Sequence, residues 1–148
     1  SAASAPLTYK HPSAPGPVSL MERWRFMHWG GTTPEAERAD LADADGDGSS
    51  NLLEYALGSI PRGSGSHPQF SAALNPQGHL TVTFQRTADP LLNYTVEYSS
   101  SLGPDSWVTG FTSTGAANTG GPVTDTDPAA SATGRRFARI RVQLGTAP

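Results

Sequence analysis

Apolar residues recur at helical spacing up to about residue 57 and at every second position from residue 70 onward, and this change of period divides the chain. Leu20, Trp24, Met27 and His28, interleaved with Glu22, Arg23 and Arg25, predict a short amphipathic helix. Ser19 is placed to cap it and Gly30-Gly31 to stop it, with Trp24 and Trp29 packing on neighbouring structure. Thr33-Pro34-Glu35 has the composition of a second helix start, and that helix is expected to run through Ala36, Ala39 and Leu41. A third helix covers Leu52 to Leu57, closed by Gly58 and Pro61, with Leu53, Ala56 and Leu57 on a face that the Trp-containing helix could cover.

Beyond residue 69 the alternating sets are Phe70/Ala72/Leu74, Leu80/Val82/Phe84, Tyr94/Val96/Tyr98 and Ala138/Ile140/Val142/Leu144, with two further strands expected around Trp107 to Phe111 and Val123 to Thr126. Asn75-Pro76-Gln77-Gly78, Asp89-Pro90 and Gly103-Pro104 supply the turns. The fold class that follows is α+β: short N-terminal helices, then a small antiparallel β-sandwich of immunoglobulin-like or fibronectin-like size. Residues 1–18, rich in Pro, Ser and Ala, read as an extended linker, 19–61 as a helical motif and 68–146 as the sandwich, with a Gly/Ser-rich joint from Arg62 to His67.

A chain of 148 residues suffices for one domain, or for a small motif fused to a small domain. The opening Ser1-Ala2-Ala3-Ser4-Ala5 resembles a processed boundary, and a module cut from a longer protein, monomeric in isolation, is expected. Its formal net charge of -3 lacks the basic signature of a nucleic-acid binder. Cysteine is absent, so disulfides and thiol chemistry play no part. There is no apolar run of membrane-spanning length. Eight of the thirteen acidic residues fall between Glu22 and Glu54, a local excess that a divalent cation would neutralise.

Within that excess, Asp43-Ala44-Asp45-Gly46-Asp47-Gly48-Ser49-Ser50-Asn51-Leu52-Leu53-Glu54 carries chemistry in its spacing. Counted from Asp43, carboxylates stand at positions one, three, five and twelve and a glycine at six, the ligand pattern of an EF-hand loop. Asp43, Asp45, Asp47 and Glu54 would bind through carboxylate oxygens, Ser49 through its carbonyl, and Asn51 directly or through water. All are hard oxygen donors, which suit Ca2+ and serve zinc poorly. No second loop accompanies this one, and position eight, where an apolar residue pairs with a sister loop, is Ser50. The expectation is therefore a structural calcium site and not a sensor.

The run from Trp24-Arg25 through Ala42 to Gly48 and on through Asn51-Leu52-Leu53-Glu54-Tyr55-Ala56-Leu57-Gly58 to Pro61 resembles a module in the C-terminal regions of exported bacterial proteins. It is also similar to a single dockerin-type or thrombospondin type 3-like calcium repeat. Tyr94 to Leu102 followed by Trp107 carries a fainter resemblance in the β part. The resemblance implies an extracellular or cell-surface, non-catalytic calcium-binding accessory module of a larger secreted protein.

Enzyme chemistry finds little purchase, because His11, His28, His67 and His79 are scattered without triad order or metal-ligand spacing. His28 reads as a partly packed helix residue. Arg135, Arg136, Arg139 and Arg141 suggest an anion patch or, given the alternation with Ile140 and Val142, a solvated sheet face. A second functional reading is a carbohydrate-binding module of a polysaccharide-degrading enzyme. Trp107 is open to a core or a glycan-platform role, and Phe137, sharing a face with Arg139 and Arg141, is the other candidate ring. A third is a surface attachment or sorting domain that docks on a cell-surface protein.

Overall fold

The structure, a computed structural model, describes residues 19–31, 34–130 and 134–145, so the linker at 1–18, His11 and the Thr33 cap lie outside the described residues. Helix α1 spans Leu20–Trp29. Ser19 Oγ accepts the Glu22 N–H at 3.1 Å, and the Gly30 N–H closes the other end on the Phe26 carbonyl. The buried face differs from the expected one. Met21 and Trp29 are buried, Trp24 and His28 half-buried, whereas Leu20, Phe26 and Met27 are exposed. The helix is turned so that Trp24 meets Tyr55, with ring centroids 5.4 Å apart, and stacks edge-on with Trp29.

Helix α2 spans only Glu35–Arg38, stopping short of Ala39 and Leu41. The carbonyls of Glu37 and Ala39 are claimed by the Asn51 side-chain amide, and those of Asp40 and Ala42 by the Leu52 and Asn51 N–H groups. The chain leaves the helix to make that bridge, and Leu41 stays exposed. Helix α3, Asn51–Leu57, starts one residue before the expected position, capped by Ser50 Oγ, and ends at Gly58.

Six strands follow: β1 Phe70–Leu74, β2 His79–Arg86, β3 Leu92–Ser99, β4 Val108–Ser113, β5 Gly121–Ala130 and β6 Phe137–Leu144. They form two three-stranded antiparallel sheets of order β1-β2-β5 and β4-β3-β6. Val82, Phe84 and Val123 of one sheet and Leu92, Tyr94, Val96 and Tyr98 of the other enter a single apolar cluster that also holds Met21, Leu52, Tyr55, Ala56 and Leu57. The apolar face of α3 is thus covered by β2 and β6 more than by α1. Strand β1 departs from expectation: its alternation is present, yet all five residues are exposed, and none of them enters the shared core.

A buried polar clamp joins α3 to the sheets. Tyr94 Oη donates to the Ala56 carbonyl at 2.7 Å, Thr87 Oγ1 to the Tyr55 carbonyl at 2.6 Å, and Tyr55 Oη to Asp89 Oδ2 at 2.7 Å. The first two donors satisfy carbonyls that the last turn of a helix leaves open. Asn118 holds the clamp from behind, donating to the Thr87 and Asp89 carbonyls.

At Gly110 of β4 two side chains come close, one from the opposite sheet and one from the neighbouring strand: a Cβ there would lie 2.6 Å from both Asp125 Oδ2 of β5 and Tyr98 Cε2 of β3. Those two groups are themselves bonded, Tyr98 Oη to Asp125 Oδ2 at 2.8 Å. Gly110→Ala is expected to force them apart and cost about 1–3 kcal/mol in urea denaturation, as overpacking does. A loss under about 0.3 kcal/mol would show that β4 yields freely.

Candidate metal centre

The loop is built backwards from its first aspartate. Asp43 Oδ1 accepts the N–H groups of Gly46 and Asp47 at 2.8 and 3.2 Å, and Oδ2 that of Gly48 at 2.9 Å, so one side chain curls six residues around itself. Gly48 takes φ +94°, a conformation that side-chain-bearing residues rarely adopt, which accounts for the glycine at this position. Asp45 Oδ1 and Asp47 Oδ1 then accept from Asp47 N–H and Ser49 N–H at 3.3 and 2.7 Å. The mouth is closed by two backbone bonds, Asn51 N–H to the Ala42 carbonyl and Leu52 N–H to the Asp40 carbonyl.

This curl brings one carboxylate oxygen from each of Asp43, Asp45 and Asp47 within 4.8 Å of one another. Glu54 stands beside that trio on the first turn of α3, fully buried. Burial, then the charges of Asp45 and Asp47 and more weakly Asp43, push its carboxyl from an ordinary 4.5 up to about 7. Ser59 Oγ, at 3.5 Å from Oε1, opposes that rise without cancelling it.

Three buried oxygens at this place, Asp45 Oδ2, Asn51 Oδ1 and Glu54 Oε2, have no hydrogen-bond partner among the described residues. A buried acceptor without a donor costs roughly 1–3 kcal/mol, more when charged. Three together, beside a clustered set of aspartates, form a donor set that a hard cation satisfies. The residues present fit such an ion.

Of the predicted ligands, Asp43, Asp45 and Asp47 converge, while Glu54 stands outside that 4.8 Å group and feels it through the aspartate charges. Asn51 has a second role that spacing did not show, its amide nitrogen bridging the Glu37 and Ala39 carbonyls at 2.8 Å each. Ser49 is placed through its N–H on Asp47. His67 was missed altogether: its Nδ1 lies 2.9 Å from Asp47 Oδ2, twenty residues on in sequence, which no local pattern could reveal.

The candidate glycan rings are placed otherwise. Trp107 is only half-buried and lies outside the core cluster, with the Arg139 guanidinium over its ring at 4.0 Å. Phe137 is half-buried opposite Ser99. The arginines are not a free anion patch: Arg139 and Arg141 pair with Glu97, and Arg136 with the buried Asp127, while Arg135 is exposed. His28 is half-buried against Trp24, as expected, and burial lowers its pKa.

No described helix is long and apolar enough to cross a membrane. The chain matches no protein family, no curated protein and no solved structure.

Proposed function

We propose that the chain is a non-catalytic accessory module of an exported protein in which one EF-hand-like loop binds Ca2+ structurally. The observation that carries this reading is the buried, partnerless Oε2 of Glu54 beside three converging aspartates. Asp43, Asp45, Asp47 and Glu54 would supply carboxylate oxygens, Ser49 a carbonyl, and Asn51 its Oδ1 or a bridging water. The cation would offset the repulsion among these groups and lock α3 in place. An isolated loop without a sister is suited to the calcium-rich surroundings outside cells, where modules work at affinities of about 10⁻⁴–10⁻³ M.

The remainder of the molecule would be a six-stranded sandwich of immunoglobulin type. Strands one, two and five in one sheet, with four, three and six in the other, correspond to its A-B-E and C′-C-F strands. Its role would be to present α3 and the loop as one rigid piece.

Calcium at about 100 times its Kd is expected to stabilise the chain by about 2.7 kcal/mol, raising Tm by roughly 5–10 °C, with reversal by chelator. Differential scanning fluorimetry with calcium, magnesium and EGTA reads this directly. An unchanged Tm up to about 100 mM calcium, roughly 100 times the weaker of those affinities, overturns the reading.

A further inference from the structure

The contact between His67 and Asp47 joins the loop to a segment that no ligand pattern includes. Asp47 is a nearly closed side chain, 1% exposed, whose Oδ1 is taken by the Ser49 N–H and whose Oδ2 faces His67 Nδ1 at 2.9 Å. The imidazole is 63% exposed and is brought there by its backbone. Ser66 Oγ accepts the Ile60 N–H at 3.0 Å and the Ser66 N–H reaches the Gly63 carbonyl, folding the joint back toward the loop. The His67 carbonyl accepts from Gln69 Nε2, and the Gln69 carbonyl accepts the Gln85 N–H of β2.

A line of contacts therefore runs from Asp47 through His67 and Gln69 to the first sheet. A carboxylate meant to ligate a cation needs its rotamer held, and outer partners that donate to ligating groups do this in metal sites generally. Asp47 has such a donor on each oxygen, one from the loop itself and one from outside it. From this geometry we infer that His67 is a positioning residue for the cation site, its Nδ1–H orienting Asp47 for the metal and tying the loop to β2.

The inference rests on the calcium reading, and the same titration separates the two. Calorimetry on the full chain would compare wild type, His67→Ala and His67→Asn, the last because the Asn amide nitrogen stands the same number of bonds from the backbone as imidazole Nδ1. His67→Ala is expected to weaken calcium binding about tenfold, the low end for loss of an outer partner. His67→Asn should recover to within about threefold of wild type, and its calcium-free Tm should match wild type because the amide still donates to Asp47 Oδ2.

Wild-type affinity in His67→Ala, or equal weakness in His67→Asn and His67→Ala, overturns the role of the donor while leaving the calcium site standing. A wild-type chain that takes up no calcium overturns both.

Discussion

Glu54→Gln is expected to stabilise the calcium-free protein at pH 7 while weakening calcium binding roughly 100-fold, about 2.8 kcal/mol. The two effects share one cause. Glu54 is fully buried beside Asp43, Asp45 and Asp47, and its carboxyl is raised from 4.5 to about 7. A carboxyl group whose folded pKa exceeds its unfolded one holds its proton more tightly in the fold. Its contribution is then fully present below about pH 4.5 and is lost as pH rises through about 7. A displacement of that size is worth roughly 3 kcal/mol at most.

The calcium-free wild type should therefore lose stability between pH 4.5 and 7.5, and Glu54→Gln should flatten that slope because its amide carries no charge at any pH in the window. With calcium present the dependence turns round, since the ion requires the deprotonated carboxylate, and affinity should climb over the same interval. Urea denaturation at pH 5, 6 and 7.5, with EGTA and with calcium, checks all three. A Gln variant that is less stable than wild type without calcium, or that binds calcium equally well, would be incompatible with a strained carboxylate awaiting an ion.

The loop was the most legible part of the chain because its groups are contiguous: carboxylates two residues apart and a glycine at the turn define a shape with no help from the rest of the fold. Four strands were legible for a similar reason, their apolar alternation being local, whereas β4 and β5, whose few apolar residues stand among Thr, Gly, Asp and Pro, carried a weaker signal. What escaped were the contacts between distant segments. His67 reaches Asp47 across the joint, Arg136 pairs with buried Asp127, and Arg139 covers Trp107, each a pairing set by how sheets and turns come together.

Helix α1 was found and its face misjudged, because Leu20 and Met21 fit a helical stripe almost equally well and only Tyr55 decides which side Trp24 turns to. In α2 the early end at Arg38 depends on Asn51, which draws off two carbonyls from outside the helix. Strand β1 shows the converse limit: its alternation specifies a strand, but burial depends on what packs over it, since β5 is an edge of the same sheet and still buries Val123.

Tyr55→Phe is expected to lower the stability of the whole chain by about 2–3 kcal/mol, a fall in Tm of roughly 5–10 °C, although it removes a single oxygen. Tyr55 Oη donates to Asp89 Oδ2 at 2.7 Å, and Asp89 is 2% exposed, so the variant leaves a buried carboxylate oxygen without its donor. Burial and the adjacent Asp89 both raise the Tyr55 phenol pKa, so the hydroxyl keeps its proton throughout the neutral range and the bond does not titrate away. Asp89→Asn should cost a comparable amount, because Asp89 Oδ1 accepts the Leu91 N–H at 2.9 Å while Oδ2 accepts from Tyr55, and an amide offers an oxygen to only one of the two.

Glu54 and Tyr55 are consecutive residues of α3, one facing the aspartate loop and the other the clamp formed with Thr87, Asp89 and Tyr94, of which only Tyr94 belongs to β3. Whatever holds Glu54 therefore holds the anchor of the sheets. Calcium should move one cooperative transition, seen alike by far-UV circular dichroism and tryptophan fluorescence, and Tyr55→Phe should shift that transition down while keeping the full calcium increment. Two separate transitions, with calcium moving only one, would mean that the clamp does not carry the effect of the loop into the sheets.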